Sequence, residues 1–234
     1  MEIRMGSLVR DAREATGTAI IIDVFRAFTT AAIAFDRGAT QITLVAEAED
    51  ALELHHSGVG DLLMGEVDGR RPQGFDFGNS PYEISQADVA GKSLVQSTRA
   101  GTVGVAAAAG ADVIYLGSFV VAQATADAVR RQRPDALSII AMGDQGRVRS
   151  DEDEQCGIYL RNIIEGRQPD FDAVKSLIMT GGATQKFFDD NQPQYHPEDV
   201  SLALEVDRYP FAMRISREDG LLVARKHELR RYVL

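Results

Sequence analysis

Strand-like and helix-like stretches alternate along most of this chain, and that alternation restricts the fold more than any other feature. TAIIID (18–23) is a β-branched apolar run ending in an acid, and VFRAFTTAAIAFDRGA (24–39) follows with apolar residues at helical spacing before a glycine. QITLVA, EAEDALELHHSG and DLLMGEV repeat the order strand, helix, strand. KSLVQS (92–97) reads as a buried strand and TVGVAAAAGA (102–111) as a tightly packed helix. DVIYLGS, FVVAQATADAVRRQ and ALSIIAMG continue the pattern up to a helix predicted over 151–164. Strands separated by helices need crossover connections, which build a largely parallel sheet covered on both faces. The end differs: PEDVSLALEV reads as a helix, while FAMRIS and LLVARK flank REDG as an antiparallel hairpin. The expected fold is therefore a three-layer α/β/α sandwich with a mixed, mostly parallel sheet and a C-terminal antiparallel hairpin. No internal repeat, low-complexity tract or flexible linker divides the chain. Residues 1–234 are read as one α/β domain, with two tightly packed subdomains as the alternative.

Composition narrows the partners. With 44% hydrophobic residues the chain can bury a substantial core. Its longest apolar runs, such as VGVAAAAGA (103–111), are too short and too rich in small residues to cross a bilayer, and no basic segment followed by a hydrophobic core opens the chain. No membrane association is expected, and the default setting is cytoplasmic. The formal charge of −10 repels a nucleic-acid backbone, so no nucleic-acid partner is expected. The basic clusters RRQR (130–133) and RKHELRR (225–231) read as solvated helix or chain ends. A single cysteine, Cys156, excludes an intramolecular disulfide and fits a reducing compartment. The alanine-rich stretch 103–111 reads as close packing within one fold, with a homo-oligomer contact as the alternative.

Four polar loops fall at predicted strand ends, where ligands of open parallel sheets gather. They are DVFR (23–26), GEVDGRRPQGFDFGNSP (65–81), STRAGT (97–102) and GDQGRVRSDEDE (143–154). In the first, Asp23 ends a strand and Arg26 enters a helix; capping of that helix is the plain structural use of Asp23. The second holds Glu66, Asp68, Arg70, Arg71, Asp76, Asn79 and Ser80, with Asn-Ser-Pro suited to opening a helix. In the third, hydroxyls, backbone N–H groups and the Arg99 guanidinium could converge on an anion. In the fourth, Asp151, Glu152, Asp153 and Glu154 suit the positive end of a helix, and at least two are expected to face water. Together the loops offer carboxylates for a hard cation and arginines with N–H groups for an oxyanion, a combination suited to phosphoryl chemistry with Mg²⁺.

Other mechanisms lack their motifs. Gly91-Lys92-Ser93 ends like a P-loop, but Gln86 stands where its first glycine belongs. Asn162, not arginine, lies six residues after Cys156, and Phe25 stands two residues after Asp23 where an aspartyl-phosphate phosphatase carries a second acid. His55, His56, His196 and His227 have no metal-ligand spacing, and G-x-S-x-G is absent.

The phrases DVFRAFTTA (23–31), GEVDGRRPQGFDFGNSP (65–81), STRAGT (97–102) and EDEQCG (152–157) resemble, in order and approximate spacing, the 2-phosphosulfolactate phosphatase family. LEVDRY (204–209) also has a counterpart there. The resemblance implies a Mg²⁺-dependent phosphoric monoester hydrolase that converts 2-phospho-3-sulfolactate to 3-sulfolactate and phosphate, on a fold particular to that family. In archaea that make coenzyme M this is a biosynthetic step. On that footing Asp23, Glu66 and Glu152 are expected at the Mg²⁺ site, directly or through water. Arg26 and Arg99, with Ser97, Thr98, Gly101 and Thr102, would bind the oxygens of a small anionic phosphate ester. Asn79 and Ser80 would add donors. Attack by water is expected, with Asp76 or Asp153 as the candidate base. The alternatives are a phosphatase of another small phosphorylated carboxylic acid and a non-catalytic anion-binding protein.

Overall fold

The computed structural model describes residues 1–228. One nine-stranded sheet runs through them, built from β1 (Glu2–Ser7), β2 (Gly17–Ile22), β3 (Gln41–Val45), β4 (Leu62–Gly65), β5 (Ser93–Ser97), β6 (Ala111–Gly117), β7 (Ala136–Ala141), β8 (Phe211–Glu218) and β9 (Leu221–Glu228). Its order is β1-β7-β2-β6-β8-β9-β3-β5-β4. β1, β7, β2 and β6 form one parallel block, and β3, β5 and β4 form another. The β8–β9 hairpin is the expected antiparallel element, but it lies in the middle of the sheet and joins the two blocks by antiparallel pairing on each side.

Helices cover both faces, as the alternation requires. β2 is central: Ile20 and Ile22 point into one apolar layer and Ala19 and Ile21 into the other, all fully buried. The layer around Ile21 is closed by α1 (Leu8–Ala12), α2 (Ala27–Asp36) and α5 (Gly101–Ala107). α2 has no polar face, because AFTTAAIAF is buried on every side. The opposite layer is closed by α6 (Ala122–Gln132), α7 (Asp151–Ile164), α8 (Phe171–Thr180) and α10 (Pro197–Ala203). α3 (Ala48–His56) packs a smaller cluster against β4 and β5 through Ala51, Leu63 and Val95.

Helix ends follow the local sequence. α4 (Pro81–Gln86) starts where Asn-Ser-Pro predicts: Ser80 caps it, accepting from the Glu83 N–H at 3.2 Å, with Pro81 in the first turn. α6 ends at Arg133 in the left-handed region just before Pro134, with RRQR in its exposed final turn. The other basic cluster begins in β9, and its residues 229–231 lie outside the described residues.

Three antiparallel pairings separate the two blocks, so their strands run in opposite senses. In a flat sheet the C-terminal tips of β2 and β5 would then lie at opposite edges. Five strand-to-strand steps separate these strands, and twist accumulates to roughly 100–125° over that distance. That rotation swings the second set of tips back toward the first. The contact is direct: Gln96 Nε2 in β5 donates to the Ala27 carbonyl at the start of α2 at 3.0 Å.

Candidate active site

The tips of β2, β4, β5 and β7, with the segment between α8 and α10 that holds the short helix α9 (Gly182–Gln185), enclose a cavity of about 710 Å³. Asp23, Arg26, Glu66, Asn79, Arg99 and Glu152, drawn from all four predicted loops, line it together. Its wall carries six carboxylates (Asp23, Glu66, Asp68, Asp144, Asp151, Glu152) and four cations (Arg26, Arg99, Arg149, Lys186).

Each loop is held by a particular contact. Asp23 leaves β2 and accepts the Ala27 N–H through Oδ1 at 2.9 Å, so it caps α2 and faces the cavity at once. Gly101 begins α5 against it, and a Cβ there would lie 2.8 Å from Asp23 Oδ2. Gly65 has φ +155°, and a Cβ there would stand 2.0 Å from the Ser97 carbonyl oxygen, so only glycine lets the 65–81 passage leave β4 this close to β5. Glu66 then ties two loops: Oε1 accepts the Arg99 N–H at 2.8 Å and Oε2 the Gly69 N–H at 2.7 Å. Asp153 does the same one layer deeper, accepting from Val24 N–H at 2.7 Å and Gly143 N–H at 2.8 Å.

Arg26 is nearly inaccessible. Its guanidinium donates to Asp199 Oδ2 at 2.9 Å, to the Gln194 carbonyl at 3.0 Å and to the Gly69 carbonyl at 3.2 Å, and it lies 4.7 Å from the Tyr195 ring centroid. Asp199 is fully buried and also accepts from Ser80 Oγ at 2.6 Å and Tyr82 N–H at 2.9 Å. Arg99 presents its backbone N–H to Glu66 and its guanidinium to Glu47 at 3.1 Å.

Several predicted residues stand behind the cavity wall. Thr98 and Thr102 bond to each other across the first turn of α5 (Thr98 N–H to Thr102 Oγ1 2.9 Å, Thr102 N–H to Thr98 Oγ1 3.1 Å), and Ser97 is buried beside them. Ser80 is committed to α4 and Asp199. Asp76 does not line the cavity: it is exposed, and Oδ2 accepts the Leu63 N–H at 2.8 Å, strapping its loop to the edge strand β4. Asp153 lies behind the wall with both oxygens bonded to backbone. Neither candidate base therefore faces the cavity.

The buried acids are electrostatically strained. Burial, reinforced by the Glu66 carboxylate, pushes the Asp23 carboxyl up to about 6, against the Ala27 and Gly101 N–H groups and the Lys186 charge, which favour its ionised form. Burial and then Asp153 hold Glu152 well above the usual carboxylate range; burial and then Asp23 do the same to Asp153. Glu152 Oε2 is buried without a hydrogen-bond partner among the described residues.

That strain bears on whether Mg²⁺ fits. Among the described residues no three His, Cys, Asp or Glu side chains form a preformed metal cluster. Mg²⁺ does not need one, since it binds through one or two carboxylates and keeps water and phosphate oxygens as its other ligands. Mutually repelling buried carboxylates with an unpartnered oxygen suit such a cation.

Sequence reasoning missed Asp199, Lys186 and Tyr195. Asp199 reads as an ordinary acid in the first turn of PEDVSLALEV, and only its partners Arg26 and Ser80, more than a hundred residues away, mark it as internal.

A family profile for 2-phosphosulpholactate phosphatase matches residues 6–193. This chain belongs to that family. A probable 2-phosphosulfolactate phosphatase of Bacillus subtilis is 33% identical over 205 residues, 86% of this chain and 87% of its own length. One of Deinococcus radiodurans is 36% identical over 147 residues (62% and 61%), and one of Clostridium acetobutylicum 30% over 177 residues (75% and 72%). The family is one of phosphoric monoester hydrolases acting on a small phosphate ester, and the lining residues of this member lie within or next to the matched span. Among the described residues, no helix is long and apolar enough to cross a membrane.

Proposed function

We propose that this protein is a Mg²⁺-dependent phosphatase that hydrolyses 2-phospho-3-sulfolactate to 3-sulfolactate and phosphate. The observation that carries the reading is the charge of the cavity wall. Six carboxyl groups line the wall against four cations, three of them already paired with Asp199, Glu47 and Glu154, so little positive charge is left for a substrate bearing phosphate, carboxylate and sulfonate. A divalent cation beside Asp23 and Glu152 would supply it. Asp23 and Glu152 would hold it, with Glu66 adding charge to the same wall while its oxygens accept the two loop N–H bonds. When bound, Mg²⁺ supplies charge neutralisation for the phosphoryl oxygens and the leaving alkoxide.

The chain's own groups do the rest. Arg26, fixed by Asp199 and two carbonyls, is a preorganised donor in the cavity wall whose charge is largely balanced by Asp199. Arg99 and Arg149 also line the cavity, and Asn79 adds a polar lining group. Water is the nucleophile in this reading, because the wall holds no serine, cysteine or histidine nucleophile apart from Ser150 at the start of α7. A cytoplasmic setting is supported by the single, buried Cys156, which fits a reducing compartment.

The test is phosphate release from 2-phospho-3-sulfolactate, phospholactate and phosphoglycolate, each with and without Mg²⁺. The expected result is release that depends on Mg²⁺ and is fastest with the sulfonated substrate. Release from none of them, alongside tight binding, would instead make the protein an anion-binding module.

A further inference from the structure

Three of the four cavity cations are neutralised within the protein. Arg26 pairs with Asp199 at 2.9 Å, Arg149 with Glu154 at 2.7 Å and Arg99 with Glu47 at 3.1 Å. Lys186 alone has no carboxylate partner among the described residues. It opens the 3-10 turn Lys186–Phe188, half-buried, with its ammonium 5.1 Å from the Tyr195 ring centroid and 5.8 Å from that of Phe187. The same rings flank the Arg26 guanidinium at 4.7 and 5.7 Å. One aromatic wall thus carries two positive charges, only one of them paired. A cation–π contact is weaker than a hydrogen bond to a charged group, so the rings do not satisfy the ammonium. Gly182 and Ala183, a few residues before Lys186, line the cavity with little side-chain bulk.

We propose that Lys186 binds the non-transferred sulfonate of the substrate and sets the preference for phosphate esters that carry this second strong acid; the inference rests on the phosphatase reading above. The chemistry matches. An ammonium is a point charge with three rotatable donors and suits a tetrahedral –SO₃⁻ group, whereas the guanidinium forks of Arg26 and Arg99 are already engaged within the protein. The Phe187 and Tyr195 rings shield the ion pair from water, which strengthens it. Asp23 and Lys186 line the same cavity, so a substrate whose phosphoryl end sits beside Asp23 shares that space with the ammonium.

The experiment compares wild type with Lys186→Met and Lys186→Arg, using phosphate release from 2-phospho-3-sulfolactate and from phospholactate, and calorimetric binding of 3-sulfolactate in the presence of Mg²⁺. Lys186→Met should lower the ratio of kcat/KM for the sulfonated over the unsulfonated substrate at least tenfold, mainly through KM. It should weaken 3-sulfolactate binding by a similar factor, with Lys186→Arg restoring part of both. An unchanged ratio, or an equal loss on both substrates, would overturn the assignment and place Lys186 on the phosphate instead. The binding arm separates the two readings: a wild type that binds 3-sulfolactate through Lys186 but releases no phosphate would refute the phosphatase function and keep this contact. Binding indifferent to Lys186 would refute the contact alone.

Discussion

Two pairs of acids at this cavity share a residue type and differ in what their oxygens do. Glu66 and Asp153 each accept two backbone N–H bonds from separate loops, Arg99 and Gly69 for one, Val24 and Gly143 for the other. Asp23 lines the cavity while its Oδ1 accepts the Ala27 N–H, and Glu152 lines it with one buried oxygen that has no partner among the described residues. The first pair builds the cavity by tying loops together. Burial and neighbouring acids make charge unfavourable on Asp23, Glu152 and Asp153 alike, but only Asp23 and Glu152 line the cavity, and it is this pair that a ligand would relieve.

Substitutions that keep shape and remove charge should separate the pairs. Asp23→Asn should lower Mg²⁺-dependent phosphate release by about 10²–10³-fold, the size expected when one directed electrostatic contact is removed. Without divalent cations its thermal midpoint should stay level or rise, because a costly buried charge is gone. A parallel loss of folding would move Asp23 into the tethering class. Asp153→Asn should behave in the opposite way: its amide NH₂ must face the Val24 or the Gly143 N–H, which costs about 2–3 kcal/mol for a buried unmatched donor. Urea unfolding measures this, and full stability with activity lost would reverse the assignment. Glu66→Gln breaks one of two ties at a half-exposed site, so the expected destabilisation is smaller, about 1 kcal/mol. The smallest effect belongs to Glu47→Gln. It removes an exposed ion pair from Arg99 and should shift stability by under about 1 kcal/mol, and by less at high salt; a larger shift would show that Arg99 is held by this pair rather than by Glu66.

The contrast also explains what the sequence discloses. Alternating strand and helix patterns announce the parallel blocks, and helix α7 falls on the predicted residues 151–164 because its apolar spacing and acidic first turn are local. The β8–β9 hairpin is local too, and REDG marks its turn. Its insertion between β6 and β3 depends on pairings with residues about a hundred or more positions away, which no local pattern encodes. β1 went unread for a similar reason: it is an edge strand whose EIRMGS pattern shows no clean alternation of burial.

At the site, the four loops were legible because glycines, acids and arginines crowd turn-rich text at strand ends. Their division of labour was not. Asp76 and Asp153 read as candidate bases until their oxygens are seen to accept backbone N–H groups. Lys186, Tyr195 and Asp199 lie in a stretch of short helices and turns whose chemistry comes only from distant partners.

The account stands on Asp23 and Glu152 facing a divalent cation, and calorimetric titration of Mg²⁺ into wild type, Asp23→Asn and Glu152→Gln tests that most directly. It predicts one saturable site in wild type, weakened at least tenfold by either substitution. Equal Mg²⁺ affinity in all three proteins would contradict it.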